Sequence, residues 1–210
     1  CYLHYDGPGM LAALARESRT AACSMVGEAL GTVPAGFPER LAEAGVLAYR
    51  VLWFERDGPG FRPPQDWPAQ AACCVSTHDL PPLAGWWQGA DIEEAAALGL
   101  LGAVEAAQAR AQRAMDRAAL AAACGVPDEG YGPDTAAAVY GNVSEAPSAL
   151  LLLQAEDLCG ETIGVNLPGT DRERPNWRLR HPVTVEALFA TTYASAILPK
   201  LGRSGCGPGA

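Results

Sequence analysis

Lysine is nearly missing from this chain. Lys200 is the only one, so arginine carries almost all the positive charge, and the formal net charge is −9. A surface that binds nucleic acid needs clustered basic residues, so a phosphate backbone is not the expected partner. No apolar run is long enough to span a bilayer, because the longest are alanine-rich and broken by charge. No signal peptide is expected, and none of the seven cysteines form a C-x-x-C pair. The cysteine number is odd and Cys73-Cys74 lies in an apolar run, which reads as small core residues. A reduced, cytoplasmic protein is the expectation. The three histidines, His4, His78 and His181, lack the spacing of metal ligands along the chain, so no metal and no cofactor is expected. A start at Cys1 instead of Met suggests a fragment or a processed chain.

What is present is enough apolar sequence for one domain: 49% hydrophobic residues in 210. Four short apolar runs read as buried strands. Met25-Val26-Gly27 is the first and is followed by Glu28, a turn at Leu30-Gly31-Thr32, and Pro34. Proline suits the first turn of a helix, where its missing N–H costs nothing. Val46 to Phe54 is the second run, rich in β-branched and aromatic residues. Ala72 to Ser76 is the third and leads into Thr77-His78-Asp79; Ala149 to Gln154 is the fourth and leads into Glu156-Asp157. Helical patterns lie between them: Met10 to Cys23, Phe37 to Ala44, a long alanine-rich region from Ile92 to Cys124 divided near Gly99 and Gly102, and Asp134 to Tyr140. Residues 160 to 180 read as loop, Val185 to Ala190 as helix, and the end of the chain from Ala194 as disordered.

Strands alternating with helices predict a parallel sheet. A (β/α)8 barrel needs eight such units in about 250 residues. The four seen here predict an α/β fold that is the C-terminal half of a TIM barrel, about its last four βα units, over residues 1–190, with residues 191–210 a divergent tail.

Barrel enzymes place their chemistry at the C-terminal ends of the strands. Glu28 and Asp79 would stand at two such ends, two βα units apart, and their carboxyl groups would converge on one cleft. Glycoside chemistry needs convergent carboxyl groups, one to protonate a leaving oxygen while negative charge steadies an oxocarbenium-like transition state. The blander readings are a strand-end Glu28 paired with an arginine, and a His78-Asp79 pair that caps a helix. Trp86 and Trp87 fit packing against the barrel better than stacking on sugars. Glu156-Asp157 fits a capping or arginine-pairing role better than catalysis.

Six motifs in order carry a resemblance: Gly27-Glu28-Ala29-Leu30-Gly31-Thr32-Val33-Pro34, Tyr49 to Glu55, Val75 to Pro81, Gly85-Trp86-Trp87, Asn166-Leu167-Pro168-Gly169-Thr170, and Pro175-Asn176-Trp177-Arg178. Together they resemble the 4-alpha-glucanotransferases, the amylomaltase or disproportionating-enzyme family of the alpha-amylase clan. The resemblance runs from about residue 1 to about residue 190. It implies a retaining transferase that moves alpha-1,4-glucan segments between maltooligosaccharides. By the family's pattern Glu28 is the general acid/base, Asp79 the carboxylate that holds substrate and stabilises the transition state, and His78 a sugar ligand. Asn166, Pro168 and Gly169 would line an acceptor-side subsite.

Two departures from the pattern matter. Ala29 stands where the family usually has an acid beside the catalytic glutamate. The family's nucleophile, an aspartate in an Arg-x-Asp-His context upstream of the acid/base, has no counterpart here, and Asp6 lies in a turn. The expected partner is therefore the N-terminal half of the barrel. The alternative is a non-catalytic half-barrel that at most binds alpha-glucan.

Overall fold

The computed structural model describes residue 3 and residues 5–202. His4, Cys1 and Cys206 lie outside the described residues, as does the last part of the expected tail. Four strands form one parallel sheet in the order β1-β2-β5-β6: β1 (Val26–Gly27), β2 (Leu47–Val51), β5 (Ala71–Cys74) and β6 (Leu150–Leu152). The sheet carries helices between its strands, α2 (Phe37–Glu43) after β1 and a series from α3 (Leu83–Gln88) through α4 (Ala90–Ala97), α5 (Ala103–Cys124) and α6 (Pro133–Ser144) after β5. An N-terminal helix, α1 (Gly7–Thr20), precedes β1, with Asp6 as its N-cap accepting from the Gly9 N–H at 3.0 Å. The four parallel strands in this order are those of a partial (β/α)8 barrel, although among the described residues no α-helix lies between β2 and β5.

Register assigns the two faces. Gly27 points at α2: a Cβ there would meet Val46 at 3.1 Å and Leu41 at 3.2 Å. Residues on the other face of the pleat are Val26, Tyr49, Val51, Ala72, Cys74, Leu150 and Leu152, the face a closed barrel turns inward. On the outer strands of this face apolar groups stand open, with Val26 and Leu152 each 42% exposed. The opposite face packs on the helices through one contiguous core that includes Cys73, Leu83, Trp87, Leu120, Val139 and Tyr140.

The tryptophans pack as expected. Trp86 stacks on Trp53 with ring centroids 4.3 Å apart and has the Arg113 guanidinium over its ring at 4.9 Å. Such a pair contributes about 0.5–1.5 kcal/mol beyond the area it buries. Arg113 is itself held by both oxygens of Asp91 and by the Trp86 carbonyl, so the ring is fixed and buried, as is Trp87. The long helical region divides between Leu98 and Gly102 as its glycines suggest, with Glu105 accepting from the Gly102 N–H at 2.6 Å to start α5.

Two segments differ from expectation. The expected second strand stops at Val51: Leu52–Phe54 form a short 3-10 turn, and the expected loop that follows holds an antiparallel pair, β3 (Arg56–Asp57) with β4 (Gly60–Phe61). The expected disorder from Ala194 is not what residues 192–200 do. They form α9 (Thr192–Ile197) and a 3-10 turn (Leu198–Lys200), and Ala194 and Ile197 are fully buried against the core. The cause is packing that a six-residue helix does not announce in its sequence: Thr191 caps it by accepting from Ala194 N–H at 3.0 Å and α6 covers it.

Asp157, on α7 (Ala155–Cys159), is fully buried and joins three elements. It accepts from the Leu83 N–H at 2.7 Å, capping α3, and from the Tyr140 hydroxyl at 2.6 Å. The capping role read from the sequence is real, but the helix capped is 74 positions away. Burial raises the Asp157 carboxyl from 3.8 to about 6, against the lowering effect of those two hydrogen bonds. An acid whose folded pKa is raised stabilises most below its unfolded value and loses that contribution as pH climbs through the folded one. Asp157→Asn keeps the shape without the titration. Between pH 4 and pH 7 the wild type is expected to lose about 2 kcal/mol relative to Asp157→Asn. Urea midpoints of both proteins at the two pH values test it; an unchanged gap means the buried carboxyl does not titrate there.

Candidate active site

Glu28 follows β1 directly and Asp79 follows β5, with β2 between these strands in the sheet. Because all three strands run parallel, both acids emerge at the same, C-terminal, edge. Both are exposed. Among the described residues no arginine or lysine lies within ion-pair distance of Glu28. Its charge reaches the inward face of the sheet: burial first, then the Cys74 contact and the Glu28 carboxylate, hold the Tyr49 phenol above its ordinary value. Tyr49 lies 3.4 Å from the Cys74 sulfur, whose thiol is pushed up to about 11, mainly by burial.

The turn after β5 is built to present Asp79. Ser76 donates to the Pro81 carbonyl at 2.8 Å and Thr77 Oγ1 accepts from the Asp79 N–H at 3.2 Å. The His78-Asp79 pair therefore does not cap a following helix, since α3 takes its cap from Asp157. The Asp79 carboxylate instead accepts from the Asn166 side-chain amide at 2.7 Å, and His78 Nε2 lies 3.4 Å from the same oxygen. Three of the residues singled out from the sequence, His78, Asp79 and Asn166, are thus brought together, although 87 positions separate Asp79 from Asn166.

Asn166 comes from the long segment after α7, which has no regular structure but is held by side-chain hydrogen bonds. Leu167-Pro168-Gly169-Thr170 is a type II turn: the Leu167 carbonyl accepts from the Thr170 N–H at 3.3 Å and Gly169 has φ +84°. Pro168 and Gly169 are exposed and shape this turn. Asn176 ties its base, accepting from the Leu167 N–H at 3.1 Å and donating to the Thr170 hydroxyl at 2.8 Å. Arg174, 5% exposed, anchors the segment from below through Glu94 at 2.7 Å, Asn176 at 2.8 Å and the Gly164 carbonyl. At Gly85 the segment touches α3 so closely that a Cβ would lie 2.1 Å from the Thr162 carbonyl oxygen, which only glycine allows.

Trp177 completes the cluster. Its ring centroid is 5.4 Å from that of His78, it is 61% exposed, and it sits at φ +61° with its N–H donating to the Val165 carbonyl at 2.9 Å. A bulky residue in the left-handed region is costly, about 1–3 kcal/mol, and persists only where the surroundings hold it. Read from sequence, Trp177 has a place in a motif but no role; its one signal is an aromatic in a polar loop, which periodicity does not detect.

A carboxylate oriented by an amide, a neighbouring imidazole and an exposed indole form a surface for a polyhydroxylated ring. Glu28, a second carboxyl group, stands at the same strand edge.

Comparison with known proteins gives the same direction. A family model described as 4-alpha-glucanotransferase matches residues 1–184. The 4-alpha-glucanotransferase of Mycobacterium tuberculosis is 36% identical over 217 aligned positions, covering 93% of this chain and 30% of the relative. That of Haemophilus influenzae is 33% identical over 84% of this chain and 27% of the relative. The chain thus spans less than a third of the length of these relatives. Among solved structures, the amylomaltase from Corynebacterium glutamicum aligns with a TM-score of 0.85 at 28% identity, over 95% of this chain and 32% of that one. An amylomaltase from Streptococcus agalactiae solved in complex with acarbose shares the fold, with a TM-score of 0.62 at 15% identity.

Proposed function

This chain belongs to the 4-alpha-glucanotransferase family, and from that premise we propose that it carries the acid/base side of an alpha-glucan transferase site. The substrate is an alpha-1,4-glucan or maltooligosaccharide, and the reaction is transfer of a glucan segment to an acceptor with retention. The observation that carries this reading is the clamp on Asp79: Asn166 at 2.7 Å, beside His78 and Trp177, on the strand edge that also holds Glu28.

In this mechanism Glu28 protonates the glycosidic oxygen as the bond breaks and later takes the acceptor's proton. Asp79, oriented by the Asn166 amide, faces the positive charge that develops on the sugar ring. His78 hydrogen-bonds a hydroxyl, Trp177 offers its face to a ring, and the Pro168-Gly169 turn borders the acceptor side. Ala29 leaves Glu28 without the neighbouring acid usual in the family. The covalent step needs a nucleophile from an N-terminal half-barrel, which would also cover Val26, Leu150 and Leu152 on the open inward face. We place the protein in the cytoplasm, supported by free thiols at Cys23, Cys74, Cys124 and Cys159. Among the described residues no helix is long and apolar enough to cross a membrane.

The experiment compares the 210-residue chain with a chimera in which a relative's N-terminal portion is joined to it. The chimera is expected to release glucose from maltotriose, and the chain alone is expected to release none above a heat-killed control. An inactive but folded chimera would favour the second reading, a half-barrel that only binds glucan. Glucose released by the pure chain would show that it needs no outside nucleophile.

A further inference from the structure

Away from the Asp79 cluster, a group of metal-ligating side chains converges among the described residues. Cys159 ends α7, Glu161 follows its C-terminal glycine, and His181 arrives from the segment before α8 (Val185–Leu188). One ligand atom from each, the Cys159 sulfur, a Glu161 oxygen and a His181 ring nitrogen, all lie within 4.8 Å of one another. His181 Nδ1 is 2.8 Å from Glu161 Oε1. Glu161 and His181 line a cavity of about 30 Å³, enough for one ion or water, with Glu156 on its wall. Both Glu156 and Glu161 lie close enough for their charges to act on the Cys159 sulfur.

We propose that Cys159, Glu161 and His181 form a binding site for a thiophilic divalent cation, zinc in the first instance. The donor set decides the metal class. A thiolate with an imidazole suits zinc and excludes magnesium and calcium, which require oxygen ligands. Bonds of about 2.3 Å to sulfur and about 2.0 Å to nitrogen put neighbouring ligands about 3.5 Å apart around a tetrahedral ion. From their present spacing, the farthest pair closes by about 1 Å, a side-chain movement. Glu156 and Glu161 outweigh Arg180 on the same cavity wall, and a divalent cation with a thiolate and one carboxylate is neutral. An ordinary ion pair between His181 and Glu161 would account for two of the three groups; it leaves the sulfur beside two carboxylates without a function.

The ion would also link two chain segments that are otherwise joined near the surface. His181 lies four positions after Trp177, and Cys159 lies at the start of the segment that carries Asn166. A metal tie here would brace both ends of the platform that holds Asp79. Spacing along the sequence does not reveal the site, because 20 positions separate Glu161 from His181.

The test is titration of the 210-residue chain with Co²⁺ under reducing conditions, read by absorption. The expected result is one equivalent bound with a thiolate-to-cobalt charge-transfer band and strong visible bands of tetrahedral cobalt, displaced by Zn²⁺. Cys159→Ser is expected to abolish the charge-transfer band, and His181→Ala to weaken binding at least about tenfold, as loss of one of three ligands requires. Cys23→Ser, at an exposed thiol outside the cluster, is expected to change nothing. Far-UV circular dichroism of each variant confirms that the fold survives, and a zinc-induced rise in melting temperature seen in wild type but not in Cys159→Ser gives a second readout. A band that persists in Cys159→Ser, or no cobalt bound by the folded wild type, overturns the proposal.

Discussion

Glu28→Gln in the chimeric enzyme is expected to slow transfer between maltooligosaccharides by at least about a hundredfold, within the 10²–10⁴-fold that general acid–base catalysis typically supplies. The substitution keeps the shape of a side chain that is exposed at the end of β1 and has no basic partner among the described residues. Little structural change is therefore expected, and a loss of rate reports the lost proton transfer. The substrate separates this role from others. A glucosyl fluoride carries a good leaving group and needs little acid help in the first step, so glycosyl-enzyme formation from the fluoride should be far less impaired than from maltotriose. Turnover of that intermediate by a sugar acceptor still needs a base, and an added small nucleophile such as azide should relieve it. Equal damage to both substrates, or none to either, would refute the acid/base assignment.

The elements that position this glutamate were legible because they obey local rules. Strands β1, β2, β5 and β6 are short apolar runs closed by turn residues; β1, β5 and β6 lie within two residues of their expected places, and β2 ends three residues early, at Val51 instead of Phe54. The break between α4 and α5 follows from Gly99 and Gly102, whose backbone freedom punctuates an otherwise uniform alanine-rich stretch. The packed state of Trp86 and Trp87 was likewise legible, since adjacent tryptophans inside an apolar helix have more to gain from burial than from solvent. What was not legible depends on distant chain. Nothing near Asp157 in sequence says that it caps α3, and nothing near Ala194 says that α6 is waiting for it. The Asp79–Asn166 bond and the left-handed Trp177 exist because the 164–177 segment is tied down by Arg174 and Asn176, two polar residues whose partners are set only after the chain has folded. The resemblance pointed to the residues; the structure adds what holds them.

Asp79 offers the sharper contrast, because its role is electrostatic and its support is visible. Asp79→Asn in the chimera removes the charge while an amide of the same shape remains, and the Asn166 amide then faces a group that is no longer ionised. Removing one preorganised electrostatic group typically costs about 10²–10³-fold, and that loss is expected with maltotriose and glucosyl fluoride alike, since the ring charge develops whatever leaves. Substitutions at Asn166 act through Asp79 and so divide the effect. Asn166→Ala removes a hydrogen bond to an exposed carboxylate, which water partly replaces, so a loss of about tenfold is expected, mostly in kcat. Asn166→Asp does something different: it sets a second carboxylate where the amide stood, 2.7 Å from Asp79 in the present geometry. Two carboxylates at that distance do not both ionise readily, so one proton is retained to higher pH. The acid limb of the pH–rate profile is then expected to move upward in Asn166→Asp and to stay in place in Asn166→Ala. If the limb shifts in neither variant, Asp79 does not act through its charge, and the clamp serves only to hold the loop.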